Sequence, residues 1–326
     1  FDEAINILEK SIIINNTNEM IYNNIGIAYT NLNNNNLAIS NFSKAVEINP
    51  NYLDALYNLG VSYNSQGDYL NSNNYLSKVI KINNNYMQSM YYYGLNLRKL
   101  KDYESCLNIF NEILKKKPND DNILYNIAKV YQEQQNHIKA KEFFLRIIKI
   151  NKHSKEIYNS LGVSLIELDE FDEALKLFNK AINLDKNYKF PYNNIAIIKR
   201  KLGKVNEAID YYNKALSLDN NFPLANLGKS VCLFQNKKFK KAWELYDSRI
   251  KTDYFLDSDL PLKIINNKML DNIKISQDSK ILIMREQGLG DEILYSSMYN
   301  EFYEKFKNIK IECDIRLIPL FTSSFP

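Results

Sequence analysis

This 326-residue chain contains only two histidines, three cysteines and one tryptophan. The cysteines (Cys106, Cys232 and Cys313) lie far apart without metal-ligand spacing, and their odd number does not suit a disulfide framework. The two histidines (His137 and His153) supply little material for metal or general-base chemistry. We therefore expect no metal site and, since this cysteine usage fits a reducing compartment, a cytoplasmic location.

Charge of one sign and long apolar runs are also lacking. The 42 basic residues nearly balance the 38 acidic ones and no basic block stands out, so a nucleic-acid partner is not expected. No apolar run approaches the ~20 residues that a membrane-spanning helix needs. The chain opens on Phe1 inside a helical pattern, and we interpret it as a fragment of a longer protein.

A period of 34 residues organises most of the chain. Small residues mark it at Ala4, Ala38, Ser72, Cys106, Ala140, Ala174, Ala208 and Ala242. A large apolar residue follows each mark after four residues, so the two side chains share one helix face. A second small residue stands twelve before each mark from the second one on, at Gly26, Gly60, Gly94, Ala128, Gly162, Ala196 and Ser230. The pattern predicts two helices per repeat that cross closely at this second small residue.

These residues resemble the tetratricopeptide-repeat family. Its signature is met best by Tyr22, Ile25, Gly26, Tyr29, Ala38, Phe42, Ala45 and Pro50. The resemblance covers residues 1–250 as half a repeat followed by seven full ones. It implies an all-α right-handed superhelical solenoid whose first helices line a concave groove for a protein or an extended peptide.

One asparagine row in this groove is a candidate binding site. The residue two before the crossing position is asparagine in four of seven repeats, at Asn24, Asn58, Asn126 and Asn194. This resembles the asparagine ladder of protein O-linked N-acetylglucosamine transferases, which implies amides that hydrogen-bond the backbone of an extended peptide. Tyr92, Ser160 and Gly228 interrupt the row. The alternative is that the row reflects the general abundance of asparagine in this chain.

A neighbouring row carries three consecutive tyrosines, Tyr57, Tyr91 and Tyr125. They are candidates for an aromatic strip that contacts the side chains of a bound peptide. The alternative is that they pack against the neighbouring repeat. Neither row contains lysine or arginine, so we do not expect a clamp for a C-terminal carboxylate.

The repeat ends near residue 250, and residues 251–279 read as a connector. Residues 280–326 have a different pattern: a strand at Lys280–Arg285, a glycine turn, a helix at Glu292–Phe306 and a second strand at Asn308–Cys313. This order predicts a truncated α/β stub, a Rossmann-like βαβ unit with parallel strands. Taken by itself the glycine turn is a weak signal, and its alternative interpretation is a structural tight turn.

The stretch from Arg285 to Leu294 is similar to the opening of glycosyltransferase-like domains that follow tetratricopeptide arrays in bacterial proteins. It also resembles, more distantly, the first strand, loop and helix of heptosyltransferase-type GT-B enzymes. That resemblance implies Asp291 as a candidate catalytic base and Gly288 and Gly290 as the place where the backbone approaches a substrate. It also implies a sugar nucleotide as ligand of the complete protein, with no cofactor in this fragment.

Three functions are compatible with this sequence. The first is a binding module that recruits a protein or peptide for an attached glycosyltransferase-like domain. The second is an active glycosyltransferase, and the third is a scaffold without catalysis. Since GT-B enzymes bind the sugar nucleotide mainly through their second half, we expect no catalysis from residues 1–326 alone.

Overall fold

The computed structural model describes residues 1–246, 248, 280–283, 304–305, 307–311, 315–319 and 322. The chain divides into two units, Phe1–Thr252 and Asp253–Pro326. The described part of the first unit contains fifteen α-helices. Helices α1 to α15 are Asp2–Ile14, Glu19–Asn31, Asn35–Ile48, Leu53–Ser65, Tyr69–Ile82, Met87–Lys99, Tyr103–Lys116, Asp121–Glu133, His137–Ile150, Lys155–Glu167, Phe171–Leu184, Lys189–Lys201, Val205–Leu218, Pro223–Gln235 and Phe239–Tyr246.

The even-numbered helices are the first helices of the seven repeats, and the odd-numbered ones from α3 on are the second helices. A residue with positive φ ends the turn after each first helix, at Asn33, Gly67, Lys101, Gln135, Asp169, Gly203 and Lys237. In several repeats the next residue caps the second helix. Asp68 and Asp102, for example, accept hydrogen bonds from the backbone N–H groups of Asn71 and Ser105. The two helices predicted for each repeat are therefore separated by a short turn of recurring geometry.

Each helix of the first unit packs against the next one along the chain. Most first helices also contact the first helix of the following repeat: α2 with α4, α4 with α6, α6 with α8, α10 with α12, and α12 with α14. Within the described helices, no two second helices of successive repeats are in comparable contact. Because the first helices are the more closely spaced set, they lie on the inner side of the curved stack. Sequential packing of helix pairs confirms the predicted solenoid.

The two helices of a repeat meet at the predicted small residue. A Cβ added to Gly94 would lie 2.6 Å from a ring carbon of Phe110, and one added to Gly162 would lie 2.5 Å from Phe178. Both phenylalanines are fully buried in the second helix of their own repeat. Glycine is used here because it lets the two backbones approach closely around a large ring.

The described part of the second unit contains two short strands. Strand β1 (Lys280–Ile283) pairs in parallel with β2 (Asn308–Ile311), with Lys280 opposite Asn308. The parallel pairing agrees with the two predicted strands. The connector, the glycine turn and most of the intervening helix lie outside the described residues. Two parallel strands do not identify a Rossmann-like domain, so that assignment stays a prediction.

Candidate functional site

The exposed face of the first helices forms a wall along the inner side of the stack. In the first complete repeat this face carries Met20, Asn24, Ile27 and Asn31, and the same four positions recur every 34 residues. The first and last of these positions are exposed in all seven repeats, whereas the two middle positions are half-buried or buried in most of them. We call this face the inner wall and its two middle rows the floor.

The floor consists of an amide-rich row beside an aliphatic row. The amide-rich row is the predicted asparagine ladder with its three interruptions. The aliphatic row is Ile27, Val61, Leu95, Lys129, Val163, Ile197 and Val231. It runs parallel to the ladder along the stack, so polar hydrogen-bonding groups and apolar surface lie side by side in nearly every repeat. The sequence reasoning above did not single out this second row.

The ladder asparagines differ in their surroundings. Asn24 is exposed and makes no hydrogen bond among the described residues. Asn58 is half-buried, and its Nδ2 donates to Oδ1 of Asn23 in the preceding repeat at 2.9 Å. In the same way Nδ2 of Asn194 donates to Oδ1 of Asn159 at 2.9 Å. Ladder amides therefore join successive repeats as well as facing the inner wall.

Asn126 makes two side-chain hydrogen bonds, one through each end of its amide. Its Oδ1 accepts from Nη1 of Arg98 at 2.8 Å, and its Nδ2 donates to the backbone oxygen of Asn122 at 2.8 Å. A primary amide has two donor hydrogens and an oxygen with two lone pairs. One hydrogen and one lone pair of Asn126 thus remain for another partner. The intramolecular hydrogen bonds fix the orientation of the Asn126 amide and leave part of its hydrogen-bonding capacity unused.

Side-chain hydrogen bonds of this kind recur at the interfaces between successive first helices. We call this set the polar seam. It consists of Asn58 with Asn23, Asn64 with Asn96, Arg98 with Asn126, Gln132 with Ser164, and Asn194 with Asn159. Two of the five links join asparagines 35 residues apart. That spacing is visible in the sequence and would have been the signal for the seam.

The interruptions of the ladder have structural reasons in two cases. A Cβ on Gly228 would lie 2.6 Å from Cε1 of Tyr212, so the ring of the preceding repeat excludes a side chain there. Tyr92 packs edge-on against Tyr57, with ring centroids 6.2 Å apart. The ladder is therefore broken where large aromatic rings reach the seam.

The predicted aromatic strip is divided between two kinds of packing. Tyr57 lies against the following repeat, with its ring 5.3 Å from that of Tyr86. Burial is the main reason that the pKa of Tyr57 rises to about 12. Tyr91 and Tyr125 instead contact core phenylalanines of their own repeats, at 6.5 and 6.0 Å between ring centroids. All three rings remain half-buried, and their contact with a peptide stays a prediction.

A charged residue of the floor, Lys129, lies beside a second cation and a carboxylate at the centre of the stack. Nε of Arg98 is 3.4 Å from Oε1 of Glu133, and Nζ of Lys129 donates to Oε1 of Gln132 at 3.0 Å. The pKa of Lys129 is lowered, first by burial and then by the charge of Arg98, while Glu133 acts in the opposite direction. Arg98 and Lys129 belong to neither the ladder nor the tyrosine row, the two rows that contain no lysine or arginine.

Several further findings bear on chemistry. Cys106 and Cys232 are buried free thiols, and burial raises the pKa of Cys106 to about 12. No described helix is both long enough and apolar enough to cross a membrane. The candidate base Asp291 and the candidate loop residues Gly288 and Gly290 lie outside the described residues. Their assignment stays a prediction.

Models of the tetratricopeptide repeat match the chain at residues 20–52, 41–71, 88–120, 119–187, 153–221 and 193–253. Together they cover more than half of the sequence. No curated protein matches the chain in sequence.

Solved structures of repeat proteins resemble the first unit. A tetratricopeptide repeat protein from Parabacteroides merdae has a TM-score of 0.65 at 16% identity, over 72% of this chain and 93% of that one. YrrB, described as a TPR protein with an unusual peptide-binding site, has a TM-score of 0.50 at 18% identity, over 56% and 95%. MamA from Desulfovibrio magneticus has a TM-score of 0.50 at 20% identity, over 52% and 96%. At these identities the likeness concerns the fold alone.

Proposed function

Because this chain belongs to the tetratricopeptide-repeat family, we propose that it is a protein-binding module whose inner wall holds an extended peptide segment of a partner. The observation that carries the proposal is the floor, where an amide-rich row runs beside an aliphatic row through seven repeats. Amides hydrogen-bond a peptide backbone whatever its side chains are, because they offer both a donor and an acceptor. The aliphatic row suits apolar side chains of the same peptide.

The dimensions of the stack support an extended ligand. Packed helices lie about 8–10 Å apart, and an extended chain rises about 3.3 Å per residue. One repeat therefore corresponds to roughly three residues of bound peptide. Successive ladder amides would meet every third peptide unit, which suits a ligand without secondary structure. The peptide-binding site for which YrrB is described supports the same kind of ligand for this chain.

Peptide binding is tested by selection from an immobilised library of random pentadecapeptides, followed by fluorescence anisotropy of a selected peptide. The test variant replaces Asn24, Asn58, Asn126 and Asn194 by alanine. The matched control replaces Asn74, Asn111, Asn179 and Asn213, which are exposed on second helices. We expect weaker binding by the ladder variant only, with helicity retained in both. Equal affinities in the two variants would contradict a role for the ladder, and failure to select any peptide would contradict the proposed function.

We also propose that the bound partner is presented to a glycosyltransferase-like domain to which residues 280–326 belong. The parallel pairing of β1 and β2 supports an α/β unit after the repeats. Asp291 is then the candidate base, and Gly288 and Gly290 form the loop near a sugar nucleotide. The test is turnover of UDP-, GDP- and ADP-linked sugars by the complete protein and by Asp291→Asn. Indistinguishable rates would remove the catalytic role and favour a scaffold.

A further inference from the structure

The aliphatic row of the floor contains one cation. Three aliphatic residues precede Lys129 (Ile27, Val61 and Leu95) and three follow it (Val163, Ile197 and Val231). Lysine thus replaces an apolar side chain in the central repeat, where the first helices of both neighbouring repeats flank it. The position is half-buried, so the change places a positive charge in the floor rather than in open solvent.

The charge of Lys129 lacks a carboxylate partner among the described residues. Its Nζ donates to the neutral amide of Gln132, and no described carboxylate oxygen lies within 4.0 Å of it. The nearby Glu133 is paired with Arg98. Two positive groups and one negative group therefore lie in or beside this part of the floor. A half-buried ammonium without a counter-ion is unfavourable, and a ligand anion would relieve that cost.

Arg98 adds a second cation from the preceding repeat. Its Nε faces Glu133 and its Nη1 donates to Asn126, so the guanidinium is held in place from two sides. A guanidinium carries five N–H donors, and these two contacts engage only Nε and Nη1. The two cations also lie next to Asn126, the ladder amide that would bind the peptide backbone at this repeat.

We propose that Lys129, assisted by Arg98, binds a carboxylate of the peptide held on the inner wall. This inference rests on the proposed function and adds the class of ligand. Since each repeat corresponds to roughly three peptide residues, the selected peptides should carry one acidic residue with apolar residues about three positions away on either side. The apolar residues would contact Leu95 and Val163, and the acidic residue would compensate the charge of the floor.

The experiment compares peptide selection by the wild type, Lys129→Met and Lys176→Met. Methionine keeps an unbranched chain of similar length and restores an apolar row, while Lys176 is exposed on α11 and serves as the charge control. We expect the wild type and the control to select an acidic residue at one fixed position. Lys129→Met should select an apolar residue there and bind the acidic peptide roughly tenfold more weakly.

Thermal unfolding of the variants establishes that each is folded before selection. Libraries with amidated and with free C-termini distinguish an acidic side chain from a terminal carboxylate as the source of the anion. Peptides selected without an acidic preference, or a preference that persists in Lys129→Met, would overturn this inference while leaving peptide binding intact. Failure to select any peptide would overturn the proposed function and this inference with it.

Discussion

The asparagine ladder offers a test that separates structural support from ligand binding. Asn58→Ala removes the amide that donates to Asn23, a residue that is only 3% exposed. A buried acceptor left without its donor costs about 1–3 kcal/mol. Because Asn58 is itself half-buried and water can enter in its place, we expect the lower part of that range, about 1–2 kcal/mol. Asn24→Ala removes an exposed amide without a described partner and should change stability by less than about 0.5 kcal/mol.

The assay combines thermal unfolding with amide hydrogen exchange. A change of 1 kcal/mol shifts Tm by about 2–4 °C in a domain of this size, so Asn58→Ala should lower Tm by about 2–8 °C. In a repeat array each repeat is stabilised by its neighbours. The faster exchange should therefore be concentrated in α2 and α4 and be absent from α12. Asn194→Ala should show the reverse distribution, since its partner is Asn159 in α10.

Peptide affinity completes the comparison. If ladder amides bind the ligand, Asn24→Ala weakens binding without a change in stability, which no purely structural role would produce. The double variant Asn23→Ala/Asn58→Ala should lose less stability than the sum of the single variants, because both partners of one bond are gone. Equal destabilisation by Asn24→Ala and Asn58→Ala, or additivity in the double variant, would refute the account of the polar seam.

Two further predictions concern the core and the pH dependence. Gly162→Leu should destabilise the protein by at least about 1–3 kcal/mol, since even a Cβ there would lie 2.5 Å from a buried phenylalanine ring. Urea unfolding measures this loss of stability. An unchanged unfolding midpoint would contradict the close crossing of the two helices. Tyr57 and Tyr188 both have a pKa raised from about 10 to about 12, with burial as the main cause. Folding therefore favours their neutral form, and the stability that this contributes is present in full below pH 10 and declines as the pH rises towards 12. Absorbance at 295 nm should show these two tyrosines ionising later than exposed ones, whereas a single transition near pH 10 would contradict their burial.

Most of the first unit could be predicted from the sequence because its contacts are periodic and local. The crossing glycines, such as Gly94 and Gly162, and the turn residues Gly67 and Gly203 occur where the 34-residue spacing places them. Each of these residues acts within its own repeat, so the period alone identifies its partner. The alignment of Asn24 with Asn58, Asn126 and Asn194 on one row follows from the same period.

The sequence by itself determined the repeat, its two helices and the rows that line one face, because helical periodicity needs no knowledge of the neighbouring repeat. The tertiary structure alone decided which side chains meet across repeats: that Asn58 bonds to Asn23, that Tyr57 packs against Tyr86, and that no carboxylate from the described part of the chain pairs with Lys129. These hydrogen bonds and ring contacts require the side chains of two helices to be placed to within about 0.5 Å of each other. That placement depends on the offset and tilt between the helices, which result from packing the whole stack.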